Sequence, residues 1–362
     1  MNARPPTDEA ARDAYAALVA GTRQVVDRRL RPWLEARVAR AREISFESGA
    51  AAEELASLTM RGGKRVRAAL VGAGYAAAKG AQDWDCLGDV AMGMAAVEIL
   101  QSYLLVHDDW MDHDAVRRGA PSVHMALRGR LGDEASGDAA AILAGDYGCG
   151  LAQEALCEVD LPPAAVLRAV QVFARVQVDV VIGQLAELEG TRRHEHARPS
   201  VELVHELKTA SYTVTGPLTL GAALGGAGEE TLSELARFGR PLGIAFQLRD
   251  DLLGVFGDSS ATGKPVYGDL REGKRTALVA ELRADGPSKE LLARALGKAD
   301  ASEEDLAAIV ARMEASGARA RVEARVEELL GEARDALAAL RVEGVAGPAL
   351  EGAVGALGQR ST

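Results

Sequence analysis

The stretch that decides the fold runs from Asp89 to Asp112 and reads DVAMGMAAVEILQSYLLVHDDWMD. Residues 89–107 are apolar almost all round, which is typical of a helix inside a large core rather than on its rim. Asp108, Asp109 and Asp112 end this helix, and the first and last of them lie one turn apart on the same face. Because a metal ion neutralises buried carboxylates most directly, the segment predicts a metal and phosphate site. A solvated acidic helix end is the alternative interpretation.

The composition of the 362-residue chain favours helices throughout. Hydrophobic residues make up 48% of the chain, which is ample for a sizeable core. Alanine, leucine, arginine and glutamate dominate, and alternating runs rich in Val, Ile and Thr are scarce. We therefore expect an all-α fold.

The charge and the cysteines limit the possible partners and compartments. A net charge of −11 and a pI near 5.2 argue against nucleic acid, because binding its phosphate backbone needs a basic surface. Cys86, Cys149 and Cys157 lack metal-ligand spacing and fit a reducing cytoplasm. The N-terminus lacks the apolar stretch of a secretory signal, and no uninterrupted run of about 18 apolar residues marks a transmembrane segment. These features predict a cytoplasmic protein with no transmembrane segment.

The helical pattern predicts one domain rather than two. Residues 1–8 are polar and are expected to be disordered, and the Gly- and Ala-rich residues 346–362 are expected to form a frayed tail. Loops are predicted at 192–199 and 257–268. Because no shift in composition marks a linker, residues 9–345 are predicted to form a single all-helical domain.

A second apolar helix also delivers an aspartate pair, in the run FQLRDD from Phe246 to Asp251. Two such helices could face each other across a cavity. Mg²⁺ binds one or two carboxylates together with waters and phosphate oxygens, so opposed aspartate clusters suit several Mg²⁺ ions that bridge a diphosphate. One cluster alone would be weak support, and two clusters on core-like helices are much stronger.

Basic residues gather where a bound anion would need them. The run GGKRVR from Gly62 to Arg67 opens a helix, whose N-terminus favours anions. The other cations of this kind are Arg117, Arg118, Lys208, Lys264, Lys274 and Arg275. Each alone is best interpreted as a solvated surface cation, but together they suit a phosphorylated ligand. A nucleotide-binding P-loop is excluded, because Pro265 stands where the magnesium-binding Ser or Thr belongs.

Taken together, these motifs resemble those of the trans-isoprenyl diphosphate synthase (polyprenyl synthetase) family. The similarity extends from about residue 60 to residue 276, in the family's order and spacing. The matching motifs are Gly62-Gly63-Lys64-Arg65, Asp108-Asp109-x-x-Asp112, Arg117-Arg118-Gly119, Gly145-Asp146, Gly183-Gln184, Lys208-Thr209, Phe246-Gln247-x-x-Asp250-Asp251 and Gly273-Lys274-Arg275-Thr276. Chance assembly of all of these is negligible.

The resemblance implies a large all-α bundle around a central apolar cavity, usually as a homodimer. It also implies a cofactor of three Mg²⁺ ions, whose ligands would be Asp108, Asp112 and Asp250. The neighbouring Asp109 and Asp251 would support these ligands.

The resemblance further assigns two substrates to the basic residues. The allylic diphosphate would be held by Arg117, Lys208 and Lys264. Isopentenyl diphosphate would be held by Lys64, Arg67 and Arg118, and further substrate-binding residues would be Gln101 and Lys274. The residues near C1 of the allylic substrate would be Thr209, Tyr212 and Gln247.

The implied reaction is a Mg²⁺-dependent prenyl transfer. The allylic C–O bond ionises, the alkene of isopentenyl diphosphate attacks C1, and the bound diphosphate accepts the final proton. The chain departs from the family pattern at Gln101, which replaces a histidine, at Gly254, which replaces the third aspartate of the second cluster, and at Tyr267, which replaces a glycine. An amide at position 101 can donate the same hydrogen bond as histidine.

Product length is predicted from the residues beneath the first aspartate cluster. Tyr103 lies five residues before Asp108, roughly 7.5 Å down the helix, and the less bulky Leu104 follows it. One aromatic residue at this place resembles synthases that stop at C20, so geranylgeranyl diphosphate is the expected product. Farnesyl (C15) and C25 diphosphates are the alternatives.

Two rival functions belong to other classes. A terpene cyclase-like protein would ionise a prenyl diphosphate without elongating it, but the residues for a second substrate, Lys64, Arg67 and Arg118, argue against it. A non-catalytic subunit would be expected to lose aspartates from a metal cluster, and five of the likely metal-site aspartates remain here.

Overall fold

The computed structural model describes residues 8–191, 200–257 and 267–358. The helices run, in chain order, α1 Asp8–Ile44, α2 Phe46–Met60, α3 Val66–Lys79, α4 Ala91–Met111, α5 Val123–Leu131, α6 Glu134–Cys157, α7 Pro163–Thr191, α8 Val201–His205, α9 Gly216–Leu224, α10 Glu229–Phe256, α11 Gly268–Glu272, α12 Ala277–Ala284, α13 Lys289–Ala295, α14 Glu303–Ala315, α15 Ala318–Leu340 and α16 Ala346–Gly358. Short 3₁₀ segments are Asp85–Val90 and Gly286–Ser288, and a π-helical segment, Glu206–Thr215, joins α8 to α9.

The prediction of an all-α fold is confirmed. Among the described residues, strands are limited to a two-residue antiparallel hairpin that pairs Val116–Arg117 with Ala120–Pro121. One continuous hydrophobic core extends from Tyr15 to Leu357, which supports the proposal of a single domain.

Helix α4 lies at the centre of the bundle and packs along α6 and against α1, α2 and α3. Gly145 of α6 makes the close approach possible, because a Cβ there would lie 2.2 Å from the Nε2 atom of His107. His107 Nε2 lies 3.0 Å from the Ile142 carbonyl oxygen of the same helix. The C-terminal end of α4, with its aspartates, is thus held firmly against α6.

Residues 85–111 are long and apolar enough to cross a membrane by length and composition, but 72% of the most apolar window is buried inside the protein. No second helix of this kind occurs in the part of the chain that the structure describes. The apolar surface of α4 is therefore covered by neighbouring helices, as its all-round pattern predicts.

A buried ion pair connects the entry of α3 to the core. The Arg65 guanidinium donates to Glu98 Oε2 at 2.8 Å, to Asp27 Oδ1 at 2.8 Å and to the Thr59 carbonyl oxygen at 3.0 Å. The side chains of Arg65 and Glu98 are each 3% exposed. Burial alone would lower the pKa of Arg65, but the two carboxylates hold it above its ordinary value. Arg65 therefore has a structural role.

Replacing Arg65 by Met is expected to lower the free energy of unfolding by about 3 to 5 kcal/mol, because Glu98 would remain as an uncompensated buried charge. Denaturant unfolding measures the loss. The matched control is Arg23→Met: Arg23 lies 3.9 Å from the same Asp27 but is 68% exposed, so about 1 kcal/mol or less is expected. Equal losses in the two variants would contradict a special role for the buried pair.

The predicted frayed tail is wrong for residues 346–358, which form α16 and pack against α1. Leu350, Val354 and Leu357 are buried, and a Cβ at Gly352 would lie 2.0 Å from the Ala11 carbonyl oxygen. The small residues that suggested fraying instead allow a close helix–helix contact. The prediction of disorder at the N-terminus is also wrong for Asp8, which is the first residue of α1. Residues 1–7 and 359–362 lie outside the described residues.

Candidate active site

The first aspartate cluster forms the last turn of α4, and its central member is buried. Asp109 is 0% exposed and accepts a hydrogen bond from Arg117 Nε at 2.6 Å, while its Oδ2 atom is buried without a hydrogen-bond partner. Burial raises the pKa of Asp109 to about 6 despite this contact. The Arg117 Nη2 atom also binds Asp114 Oδ2 at 3.0 Å. The short hairpin thus brings Arg117 back onto α4, where it supports the cluster.

The two predicted metal ligands of this cluster each lie beside an ammonium group. Lys208 Nζ lies 3.7 Å from Asp108 Oδ1 and also bonds to Glu187. Lys274 Nζ donates to Asp112 Oδ2 at 2.8 Å and lies 2.7 Å from Glu272 Oε2. Burial alone would lower the pKa of both lysines, but the neighbouring carboxylates hold each above its ordinary value. The carboxylates are therefore already arranged around positive charge.

The second aspartate cluster lies on α10 and joins the π-helical segment through hydrogen bonds. Thr209 Oγ1 donates to Gln247 Oε1 at 2.8 Å, and Gln247 Nε2 donates to Asp251 Oδ1 at 2.8 Å. Asp251 is 5% exposed, and burial raises its pKa to about 8. Asp250 is only partly buried. Within this pair, Asp250 is the more accessible and Asp251 the supporting residue.

A second group of cations lies between α2, α3 and the hairpin. Arg67 donates to Thr213 Oγ1 at 2.8 Å, and its guanidinium stacks over the ring of Tyr212, 4.4 Å from the centroid. Arg118 donates from Nη1 to the carbonyl oxygens of Leu58, Arg61 and Gly62. Burial lowers the pKa of Arg118, and the guanidiniums of Arg65, Arg67 and Arg117 act in the same direction. This concentration of positive charge is suited to an anion.

Two further predicted substrate-binding residues lie just before α3 and on α4. Lys64 is exposed just before α3, and Gln101 is half-buried on α4. Lys264 lies outside the described residues, as do the loop 192–199 and most of the loop 257–268.

An apolar cavity of about 350 Å³ lies between α4, α7 and the π-helical segment. Asp108 and Lys208 line it together with Tyr212, and Tyr103 and Leu104 line it on the apolar side. Tyr103 is 9% exposed, and its ring meets that of His107 edge to face at 5.2 Å between centroids. The predicted chain-length residues and Asp108 of the first aspartate cluster therefore share one cavity.

The aspartate side chains of the two clusters offer carboxylate oxygens to a metal ion, and these are ligands that Mg²⁺ prefers. Asp109 Oδ2 and Asp251 Oδ2 are buried without hydrogen-bond partners, so the clusters have unused acceptor capacity. Within residues 8–191, 200–257 and 267–358, no three His, Cys, Asp or Glu side chains converge to form a complete metal site. Mg²⁺ characteristically completes its octahedron with water and phosphate oxygens, so the residues present fit this ion.

Sequence reasoning missed four residues that contact the site. Glu187 pairs with Lys208, Glu272 pairs with Lys274, Asp269 lies 4.0 Å from Lys274 Nζ, and the His205 ring lies beside Asp251. Glu187 had a usable signal, because it lies one helical turn after the motif residue Gln184. His205 had none, because it stands outside every motif.

Comparisons with known proteins agree with this geometry. Residues 50–313 match the family model described as Polyprenyl synthetase. A geranylgeranyl diphosphate synthase of Saccharolobus solfataricus is 37% identical over 59% of this chain, and the match spans 62% of that relative's length. A (2E,6E)-farnesyl diphosphate synthase of Mycobacterium tuberculosis is 36% identical over 76% of this chain and 74% of its own.

A solved structure extends the similarity over nearly the whole chain. Geranylgeranyl pyrophosphate synthase from Corynebacterium glutamicum, complexed with isoprenyl diphosphate and magnesium, superposes with a TM-score of 0.85 at 34% identity. The similarity covers 95% of this chain and 99% of that one. The helical arrangement found here is therefore that of a protein whose structure holds both ligands.

Proposed function

We propose that this chain, which belongs to the polyprenyl synthetase family, condenses an allylic diphosphate with isopentenyl diphosphate to form geranylgeranyl diphosphate. The observation that carries the proposal is the shared cavity: Asp108 and Lys208 line its polar part, and Tyr103 lines its apolar part. A diphosphate could bind at the first part while the growing prenyl chain occupies the second.

In this proposal the leaving diphosphate is held at the two aspartate clusters. Asp108, Asp112 and Asp250 would bind three Mg²⁺ ions, which would neutralise the negative charge that develops on the departing diphosphate. Lys208 and Lys274 already lie beside the first cluster and would turn from Asp108 and Asp112 to phosphate oxygens. Arg117 acts on this site mainly by holding Asp109 in place.

The allylic cation formed on ionisation needs a dry, mildly polar surrounding, because water would quench it. The walls of the cavity are largely apolar, which suits this requirement, and Tyr212 lines it together with Lys208. The Thr209 hydroxyl donates a hydrogen bond to Gln247. The lone pairs of the Thr209 oxygen therefore remain available to a positive charge.

Isopentenyl diphosphate would bind beside Lys64, Arg67 and Arg118, with Gln101 as a hydrogen-bond donor. The cationic surroundings of Arg118 and the stacking of Arg67 on Tyr212 support this placement. Tyr212 also lines the apolar cavity, so the second substrate would lie next to the allylic chain. The alkene then attacks C1, and the released diphosphate accepts the proton lost from the new chain.

Product length is the finer part of the proposal. Similar proteins include farnesyl and geranylfarnesyl diphosphate synthases besides the geranylgeranyl enzymes. The bulk of Tyr103 beneath Asp108 supports a C20 limit, because the ring lies within the cavity and Leu104 is smaller.

The direct test is a product assay. The pure protein is incubated with Mg²⁺, isopentenyl diphosphate and either geranyl or farnesyl diphosphate, and the products are separated by chain length. Geranylgeranyl diphosphate is the expected main product. Products of C30 or longer would contradict the chain-length proposal, and release of a hydrocarbon without isopentenyl diphosphate would point to a cyclase instead.

We also propose that the protein acts as a cytoplasmic homodimer. Val178, Ile182 and Leu185 of α7 are 56%, 49% and 60% exposed and follow one helical face. Such a stripe on an acidic chain suits an interface with a second copy. The three cysteines are free thiols, which suits a reducing compartment.

Replacing Gly254 by Asp is expected to tighten Mg²⁺ activation at the second cluster several-fold, because the added carboxylate would lie beside Asp269 and a bound Mg²⁺ would relieve the repulsion between the two. A Cβ at this position would lie 3.0 Å from Asp269 Oδ2, so Asp269 occupies the space that the family's third aspartate would take. Two carboxylates about 4 Å apart repel by about 1 to 4 kcal/mol.

The Mg²⁺ concentration for half-maximal activity measures this effect. Gly254→Ala adds the same Cβ without the charge and should change activation little, while Gly254→Asp combined with Asp269→Ala should lose most of the gain. Unchanged or weaker Mg²⁺ activation in the single Gly254→Asp variant would overturn this prediction.

A further inference from the structure

At the second aspartate cluster, three buried polar side chains and the half-buried Gln247 form a row that includes a histidine outside every motif. His205, the last residue of α8, is 7% exposed, and its Nε2 atom lies 3.4 Å from Asp251 Oδ2. From Asp251 the row continues through Gln247 to Thr209, each step a hydrogen bond of 2.8 Å. The row thus connects three helical segments that meet at the site.

The row has a direction. Gln247 accepts a hydrogen bond from Thr209 at its carbonyl oxygen and donates one from its amide nitrogen to Asp251 Oδ1. The other oxygen of Asp251, Oδ2, is buried and has no hydrogen-bond partner, although the ring of His205 is the polar group beside it. A small turn of the imidazole would bring Nε2 and Oδ2 into a hydrogen bond, with the hydrogen on either atom, which would fix the Asp251 carboxyl group at both oxygens.

A buried histidine without polar partners would lower the stability of the fold at this position. Burying an imidazole without partners costs about 1 to 3 kcal/mol relative to an apolar side chain. The Nδ1 atom of His205 is buried and has no hydrogen-bond partner, and burial lowers the pKa of the ring to about 4. Glu202 and Lys208 also act on the ring electrostatically, and the carboxyl group that lies within 4 Å of its Nε2 atom is that of Asp251.

We propose that His205 is a positioning residue: it holds Asp251, which orients Gln247 and thereby fixes the direction of the Thr209 hydroxyl. Because the Thr209 hydroxyl hydrogen is hydrogen-bonded to Gln247, Thr209 presents only the lone pairs of its oxygen to the allylic cation. This inference rests on the proposed condensation activity. It concerns the rate of ionisation and not the binding of either diphosphate.

The test uses two amide substitutions that differ in where they place the donor. In His205→Gln the amide nitrogen can lie where Nε2 lies, whereas in His205→Asn it falls nearer the position of Nδ1. We expect kcat to fall about tenfold in the Asn variant and to be largely restored in the Gln variant. The KM values for both substrates should stay within about twofold in each, since neither contact is to a diphosphate.

A buried histidine elsewhere supplies the control. His124 of α5 is 2% exposed and lies 3.2 Å from Ser122 Oγ through Nδ1, away from this row. His124→Asn is expected to leave kcat unchanged even if it lowers thermal stability. Thermal unfolding and the binding of inorganic diphosphate with Mg²⁺, measured by calorimetry, show whether each variant keeps its fold and its metal site.

Coupling to Thr209 decides between positioning and a general loss of packing. In a Thr209→Val background, His205→Asn should lower kcat no further, because the hydroxyl that His205 orients is gone. Additive effects, an unchanged kcat in His205→Asn, or equal losses in the Asn and Gln variants would each overturn the inference. A wild-type protein that binds diphosphate and Mg²⁺ but does not elongate a prenyl diphosphate would instead overturn the proposed function.

Discussion

Replacing Asp108 by Asn is expected to lower kcat/KM by about a thousandfold. Asp108 lines the cavity and lies 3.7 Å from Lys208 Nζ, so it is the carboxylate at which metal, ammonium and diphosphate would meet. Removing a group that stabilises developing charge in a closed site typically costs about a hundredfold to a thousandfold, and a lost metal ligand adds to this. Steady-state kinetics over a range of Mg²⁺ concentrations measure the effect.

Asp89 provides a matched control for this substitution. It is exposed just before the start of α4, and Tyr75 Oη lies 3.3 Å from its Oδ2 atom. Asp89→Asn removes the same charge from the opposite end of the same central segment and should leave kcat/KM unchanged within about twofold. Full activity in Asp108→Asn would show that the chemistry lies elsewhere and would revive the idea of a non-catalytic subunit.

Replacing Tyr103 by Ala is expected to shift the main product from C20 to C25 or longer. The ring is nearly buried, lines the cavity beneath Asp108 and packs against His107. Its removal would open space at the depth that the growing chain reaches after the fourth isoprene unit. Product analysis by mass spectrometry under excess isopentenyl diphosphate measures the shift.

Tyr103→Phe separates the bulk of the ring from its hydroxyl group. The phenylalanine variant keeps the obstacle and should keep the C20 product. If Tyr103→Ala gave an unchanged product distribution while keeping activity, Tyr103 would not be the residue that limits the chain. Leu104, its neighbour in the same cavity, would then be the next candidate.

Much of the fold was predictable because the relevant signals are local. The all-round apolar pattern of residues 89–107 and the aspartates that follow predicted a buried helix with a site at its end, and α4 has both properties. Composition misled at residues 346–358, where small residues suggested fraying. Whether such a segment frays or packs depends on a partner surface, here α1, which local composition does not describe.

The candidate site shows the same division. Motif spacing predicted Asp108, Asp112 and Lys208 as site residues. In the structure Asp108 and Lys208 line one cavity, and Asp112 pairs with Lys274. The resemblance assigned Arg117 to the allylic diphosphate, whereas in the structure this side chain bonds to Asp109 and Asp114. Residue type and spacing indicate that a cation is present. Its partner depends on the backbone turn of the short hairpin, which brings Arg117 back to α4.

The sequence by itself determined that two apolar helical segments each carry an aspartate cluster and that cations accompany them. These properties follow from helical periodicity and from residue chemistry over a few turns. Only the tertiary structure decided that Lys274 binds Asp112, 162 residues away in sequence, and that His205 lies beside Asp251. Such contacts depend on how distant segments pack, because burial and a neighbour's position are properties of the whole core and not of any short segment.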